Sequence, residues 1–494
     1  MMRIGKKKIE KAVRYVKQDV EDDFWPDILM YEDYFTHIDV FYNTNFMKYH
    51  PQAILPMDIP KQTLILRPGH FVTLKDRIYY QILVNEFAQT VDKKLVSRDV
   101  SFGNRLSLSG SFFTKPFENI ESWKKFRRKS ELYFQKNPDG FLLETDINTY
   151  FEHIKIKKLT EVLRLLRVRV EVANRLSQLL NSWTNGEEIG IPQGNNCSSF
   201  LGNVYLHQID QAMLDDNFKY YRFADDIRIF ADSEREIRVA LAKLTELLRP
   251  FNLHLNSGKT KILRRDEYLD SKYQLSEEMD AVHYGLNLYK YNQTTDLSET
   301  IKELKQIWKK SVRGGRIINK SAFNFSLYRF MSLGKITPLS YILRNNLCDP
   351  SFSPIVLQYL KQFVDRKPVQ RALIDTFNNS IYTYQKIYIL RILTQADKLK
   401  LPVSELSFDT SGLEQNFMLL GYYFVFRAKF GNEGVQTNTK NLFMNNFSHD
   451  EKIARYFAIA LSYYPNAKSE LNQLLRTLPV LKPTIKHLQN QGKI

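Results

Sequence analysis

Cysteine is nearly missing. Cys197 and Cys348 are the two in 494 residues. Two cysteines build neither a disulfide framework nor a cysteine-based zinc site, so a reducing, cytoplasmic setting fits. Long apolar runs are missing as well. No stretch approaches the roughly 20 apolar residues that a membrane helix needs. The basic start, Met1 to Lys17, is not followed by the apolar core of a signal peptide. No membrane partner is expected. Acidic charge is in deficit, with 54 Asp and Glu against 71 Lys and Arg and a net charge of +17. That sign favours a polyanionic partner and says nothing of the fold.

Aromatic residues are plentiful, at 33 Phe and 28 Tyr. A basic, aromatic-rich chain suits single-stranded nucleic acid, where bases stack on rings and phosphates meet cations. A Phe/Tyr-rich core is the plain alternative. The length suggests two or three domains. Changes of pattern divide the chain into an N-terminal arm (1–70), a mixed α/β region (71–295) and a helical region (296–494). Apolar positions 74, 78, 82 and 83 predict a helix from Leu74. Arg98 and Arg105 follow in a polar loop. They are either a bidentate clamp for a triphosphate or plain loop arginines. Between Glu121 and Lys136, Lys124, Lys125, Arg127, Arg128 and Lys129 alternate with Trp123, Phe126, Tyr133 and Phe134. This predicts a basic amphipathic helix, either phosphate-facing or simply solvated.

Phe141 to Ile147 reads as a buried strand ending on Asp146. Gly190-Ile191-Pro192-Gln193-Gly194 is a rigid turn that launches a helix. Tyr220 to Phe223 and Ile227 to Phe230 predict two strands joined at Ala224-Asp225-Asp226. Glu234 to Leu248 is an amphipathic helix. Leu253 to Ile262 and Val282 to Leu288 look strand-like. Beyond Leu297, strand signals fade and helical patterns recur between Pro, Gly and Asn breaks, as in a helical-repeat stack. The fold class is therefore α+β, followed by an all-α, HEAT-like C-terminal domain.

Asp146 and Asp225 are carboxylates that folding could bring together. Oxygen ligands of this kind suit Mg²⁺, or Mn²⁺ in its place, with substrate phosphates completing the shell. Such a pair can serve an in-line phosphoryl displacement. An ordinary Asp-Asp turn is the alternative for the hairpin.

The ordered set resembles the palm of reverse transcriptases. Asp146 through Phe151 resembles motif A and Gly190 through Gly194 motif B. Phe223-Ala224-Asp225-Asp226 resembles the Tyr/Phe-Ala-Asp-Asp box. Leu255-Asn256 with Lys259-Thr260 resembles motif D, and Tyr284-Gly285-Leu286 motif E. The resemblance implies that Asp146 and Asp225 bind both metals, with the Ile147 carbonyl completing one shell. Asp226 is the accessory carboxylate near the primer end. Arg98 and Arg105 reach the triphosphate, and Gln193 and Gly194 line the template or nucleotide pocket. Lys259 assists the leaving pyrophosphate. Phe151 matches the steric gate that rejects a 2′-OH, which implies dNTP substrates.

Phe223 replaces the usual tyrosine, and Asn195 to Ser199 lacks a common Ser-Pro. No thumb pattern, RNase H set or endonuclease cysteines follow. A palm followed by a long helical region resembles the abortive-infection (Abi) reverse transcriptases of bacteria and prophages. That resemblance implies antiphage defence, homo-oligomers and template-independent synthesis primed by a protein hydroxyl, with single-stranded DNA left attached to the chain. Tyr15, Tyr31, Tyr34, Tyr422, Tyr423, Tyr463 and Tyr464 are candidate primers, and none is singled out. Templated synthesis on a partner RNA is the alternative. A nucleic-acid-binding helical protein with a vestigial palm is a further one, disfavoured by the intact Asp146, Asp225, Asp226 and Lys259.

Overall fold

The computed structural model describes residues 4–20, 26–61, 63–107, 116–184, 186–290, 296–346, 349–401, 408, 412–465 and 467–493. Cys348 lies outside them, as does the 291–295 segment beside the expected boundary. Two compact units form. The first takes Met1–Phe24, Ile38–Pro56 and Gly69–Ser271, and the second Trp25–His37, Met57–Pro68 and Lys272–Ile494. The N-terminal arm is thus shared between the two.

The first unit contains α1 (Lys6–Val20), α2 (Leu74–Asn85), α3 (Pro116–Lys136), β1 (Phe141–Asp146), α4 (Ile156–Leu165), α5 (Val170–Asn181), α6 (Asn196–Tyr205), α7 (His207–Asp215), β2 (Lys219–Phe223), β3 (Asp226–Ala231), α8 (Glu234–Leu248) and β4 (Lys261–Leu263). α9 (Arg265–Lys290) begins here and continues into the second unit. The sheet is antiparallel throughout, in the order β2-β3-β1-β4.

Register decides what each face carries, because residues directly opposite one another share a face. Asp146 lies opposite Asp226, which lies opposite Phe223. Glu144, Arg228 and Tyr221 form the next row on that face, then Leu142, Phe230 and Lys219. The other face carries Leu143, Thr145, Ile227, Ile229, Tyr220 and Arg222, all buried. α7 packs on β2, and α8 on β1 and β3. α3 lies along the aspartate face, from Trp123 and Phe126 beside Phe223 to the far end of the sheet. There Tyr133 and Phe134 of α3 and Tyr268 of α9 cluster with Leu142 and Phe230, and the Tyr133 hydroxyl donates to the Ala231 carbonyl at 2.6 Å. Each such aromatic or aliphatic side chain contributes about 1.5–3 kcal/mol on burial.

Val282 to Leu288, expected as a strand, is helical within α9. Val282 is fully buried while Tyr284 is 66 % exposed, so the alternation did not mark one face. Val282 and Leu286 are one helical turn apart, and over so few residues periods of 2 and 3.6 coincide. The motif E resemblance therefore falls on a helix. Leu253 to Ile262 is mostly a loop, with β4 starting at Lys261.

Among the described residues the second unit is helical apart from two-residue strand pairs. Its main helices are α10 (Ser298–Ser311), α11 (Lys320–Ser332), α12 (Ser353–Lys361), α13 (Lys367–Asn379), α14 (Thr383–Leu393), α15 (Phe417–Phe430), α16 (Glu433–Asn446), α17 (Glu451–Leu461), α18 (Lys468–Thr477) and α19 (Lys482–Asn490). Each packs mainly on helices near it in sequence: α10 on α11, α13 on α14, α14 on α15, and α15 on α16 and α17. α15 is apolar nearly all round and is buried, as such helices must be. Arg455 of α17 is buried between Asp27 and Asp33 of the 25–37 segment. It donates to Asp33 Oδ1 and Oδ2 at 2.8 Å each and to Asp27 Oδ1 at 2.9 Å. The Thr484 hydroxyl adds a bond to Asp33 at 2.7 Å. This ion cluster binds the segment to the helical unit.

Candidate active site

β1 delivers Asp146 to the end of the sheet, and β3 starts on Asp226. Between β2 and β3 the chain reverses in two residues, Ala224 and Asp225. Ala224 takes φ 54°, a conformation costly for a residue with a Cβ. The surroundings hold it there. The Arg222 N–H donates to the Val100 carbonyl at 2.8 Å, and the Phe102 N–H to the Arg222 carbonyl at 2.9 Å. Gly103 lies so close that a Cβ would come within 2.8 Å of the Ala224 nitrogen.

Sequence reasoning missed Arg222. It is 1 % exposed, pairs with Asp210 through two 2.6 Å hydrogen bonds, and donates to the Ala224 and Asn203 carbonyls at 3.2 Å each. Tyr220 also donates to Asp210, at 2.9 Å. One buried arginine thus joins the hairpin turn to α6 and α7. Its place directly before Phe223 was the available signal, but arginine is normally exposed and nothing in its residue type announced burial.

The carboxylates are crowded. Asp226 is exposed as a residue, yet desolvation of its carboxyl by the surrounding protein, then repulsion by Asp225 and Asp146, push it up to about 6. Asp146 is 6 % exposed. Its Oδ2 accepts from Lys259 Nζ, while its buried Oδ1 has no hydrogen-bond partner among the described residues. Lys259 is held above its ordinary value by the Asp146 hydrogen bond, against the cost of its own desolvation and with help from the charges of Asp146, Asp226 and Asp225. Its turn is fixed by Thr260, whose hydroxyl meets that of Thr145 at 2.7 Å. The Asn256 N–H donates to the Asp146 carbonyl at 2.9 Å, and the Asn148 N–H to the His254 carbonyl at 2.8 Å. These bonds flank the Ile147–Leu255 bridge. Ile147 is therefore the non-hydrogen-bonded member, and its own carbonyl points away from Leu255, toward the β3 side.

An orphaned buried carboxylate oxygen, neighbouring carboxylates that repel, and a lysine ammonium at the same spot fit a site for a divalent cation with oxygen ligands. Among the described residues no three His, Cys, Asp or Glu side chains converge as a preformed cluster.

The other expected site residues divide into two groups. Phe151 lies in the short helix after β1 (Tyr150–His153), half-buried, its ring against Gly202 of α6. Its carbonyl accepts the Ile191 N–H at 3.0 Å, and Ile154 accepts the Gly190 N–H at 2.8 Å, so the Gly190–Gly194 loop is tied to the Asp146 segment. Gly190 and Gly194 take φ 95° and 90°, open to glycine without strain. Gln193 is half-buried in that loop, and Asn195 caps α6 by accepting from Ser198 N at 2.8 Å. Arg98 and Arg105 instead converge on Asp92. Arg98 bonds it at 2.6 Å and keeps 38 % of its side chain exposed. Arg105 is buried, bonding Asp92 at 2.7 Å and the Val96 and Asp92 carbonyls at 2.8 and 2.6 Å. In this structure Arg105 uses Nε, Nη1 and Nη2 to hold the loop around Asp92.

Comparison with solved structures finds telomerase from Candida albicans in complex with a TWJ fragment of telomeric RNA, at 12 % identity and TM-score 0.34, covering 73 % of this chain and 67 % of that one. Apo telomerase from Candida tropicalis is similar at 11 % identity and TM-score 0.32, covering 80 % and 70 %. Likenesses this loose carry no functional weight. No curated protein sequence matches the chain. Among the described residues no helix is long and apolar enough to cross a membrane. The family model "Reverse transcriptase (RNA-dependent DNA polymerase)" matches residues 59–309, just over half of the 494 and the stretch that holds every element of the site. The chain belongs to that family, and with it to the nucleotidyltransferases that polymerise nucleotides at a divalent-metal centre.

Proposed function

We propose that this chain is a DNA polymerase of antiphage abortive infection. In this reading it extends a strand from a hydroxyl of its own, without a template, leaves the DNA attached to itself, and works as a homo-oligomer in the cytoplasm. The observation that carries the polymerase reading is the meeting of Asp146, Asp226 and Lys259 at one end of the sheet, beside the Asp225 turn. Untemplated, protein-primed synthesis is supported by the resemblance of a palm followed by a helical region to the Abi enzymes.

In this reading Asp146 and Asp225, with the Ile147 carbonyl, hold Mg²⁺. The chemistry such a cation supplies when bound is activation of the attacking hydroxyl and neutralisation of charge on the leaving pyrophosphate. Lys259 keeps a proton at Nζ beside Asp146, where a cation gains most as negative charge develops. Phe151 crowds the sugar and selects dNTPs. Gln193 and Gly194 line the pocket, and Arg98, held by Asp92 and the Leu106 carbonyl but 38 % exposed, meets the phosphates. Of the candidate tyrosines, Tyr422 is fully buried and donates to the Pro26 carbonyl at 2.8 Å, which disfavours it as a primer. Tyr463 keeps 37 % exposure.

The family's description favours a second reading, templated synthesis on RNA. Purified chain with Mg²⁺ and labelled dNTPs, with and without an annealed RNA template and primer, separates them. Incorporation without nucleic acid supports the first reading. Strict dependence on the annealed pair supports the second. In either reading Asp225→Asn abolishes incorporation with little change in melting temperature. Loss of activity that tracks loss of folded protein contradicts the metal-binding role.

A further inference from the structure

α3 lies along the aspartate face of the sheet, and its contacts step toward the site. Tyr133 meets Phe230 with ring centroids 4.7 Å apart. One helical turn earlier, the Ser130 hydroxyl accepts from Arg228 at 2.8 Å. Two turns earlier still, Trp123 stands edge-on to Phe223 with centroids 5.0 Å apart. Phe223 is in the row of Asp226 and Asp146, so Trp123 sits at the aspartate end, about two to three strand spacings of ~5 Å from Asp146.

Trp123 stays 36 % exposed after these contacts. The other tryptophans among the described residues, Trp183 and Trp308, are 4 % and 6 % exposed. Around Trp123 the helix surface is cationic: Lys124, Lys125 and Arg128 are exposed, and Arg127 is one turn on from the indole. Glu121 offsets Lys124 at 3.3 Å. Phe126, by contrast, is buried and accounts for the inward face. An indole left open among cations, against the ring of the catalytic hairpin, matches what single-stranded nucleic acid requires: a flat surface for a base and positive charge for its phosphates.

We propose that Trp123, with Lys125 and Arg128, forms a binding site for a single strand of DNA, the indole stacking on one base of the strand whose 3′ end lies at Asp146 and Asp225. The site rests on the polymerase reading for its strand, but its binding step needs no turnover.

A dye-labelled oligothymidylate of about 12 nucleotides is titrated into full-length chain without metal or dNTP, following dye anisotropy and tryptophan emission. Binding quenches the emission of the unaltered chain, and Trp123→Phe, which keeps a ring on Phe223, loses most of that quenching. Trp123→Ala weakens binding about tenfold or more. Lys125→Ala with Arg128→Ala lowers the slope of log K against log salt by about 1.4, at about 0.7 per phosphate contact on a single strand. Undiminished quenching in Trp123→Phe, or unchanged affinity in folded Trp123→Ala, overturns the proposal, and Trp123 is then only a lid on Phe223. Tighter binding of oligouridylate than of oligothymidylate overturns the DNA assignment. If Trp123→Ala does not fold, the quenching of Trp123→Phe decides. Failure of the polymerase reading looks different: no incorporation by the unaltered chain, with strand binding intact.

Discussion

Asp226 and Phe151 carry the residue-scale consequences of the site. Asp226 is raised to about 6 partly because Asp225 and Asp146 are charged. A carboxyl raised by like charges falls when a neighbour is neutralised. In metal-free protein, the Asp226 midpoint followed by carboxyl NMR therefore drops toward 3.8 in Asp225→Asn, and an unmoved midpoint means that the carboxylates are not near neighbours. Phe151 touches Gly202 through its ring edge and is otherwise half-open. Phe151→Ala admits ribonucleotides, read as a fall in the ratio of kcat/KM for dNTP over NTP. An unchanged ratio makes Phe151 a packing residue. At this scale the sequence was most informative where chemistry restricts residue type, as at Asp146 and Asp226, which the sheet register sets side by side. It was least informative at Arg222 and Arg105, whose burial depends on the acidic partners Asp210 and Asp92 that tertiary folding supplies.

The hairpin β2–β3 is the element on which the site turns. Its strands were legible because Tyr220, Tyr221, Ile227 and Ile229 favour pleated, half-buried surfaces. The segment that braces it was not, because Val100 to Gly103 has no strand pattern and reaches Arg222 through a single parallel bridge at Ser101. Gly103 faces backbone, which cannot swing aside as a flexible side chain can. Gly103→Ala therefore costs about 1–3 kcal/mol of overpacking and displaces the turn. Incorporation falls about ten- to a hundredfold, since small misplacements of a reacting group cost that much. Full activity in Gly103→Ala would show that the turn is not held from this side. The α9 helix shows the opposite difficulty. Val282 to Leu288 alternates like a strand, yet Val282 faces inward and Tyr284 outward.

At the scale of the whole molecule, a mixed first unit and a helical second unit were legible from the loss of strand signals beyond Leu297. The course of the arm was not, since Asp27 and Arg455 are separated by 428 positions. Removing the arginine strands two buried carboxylates, so Arg455→Met destabilises the helical unit by about 3–5 kcal/mol in denaturant melts. Burial raises Asp33, but the Arg455 charge and hydrogen bond and the Thr484 hydroxyl outweigh it and hold the group below 3.8. A depressed carboxylate stabilises the fold above its unfolded value and loses that contribution as pH falls through its folded value. The helical unit's acid transition below about pH 4 is therefore shallower in Arg455→Met, and an unchanged acid transition contradicts the role of the cluster. The central claim is that this palm makes DNA on its own chain. Its most direct test is to incubate purified protein with Mg²⁺ and each labelled dNTP, with no template or primer, and run it on a denaturing gel. The account predicts label that stays with the chain after denaturation, is released by nuclease, and is absent in Asp225→Asn. Unlabelled chain that nonetheless extends an annealed primer on RNA would contradict it.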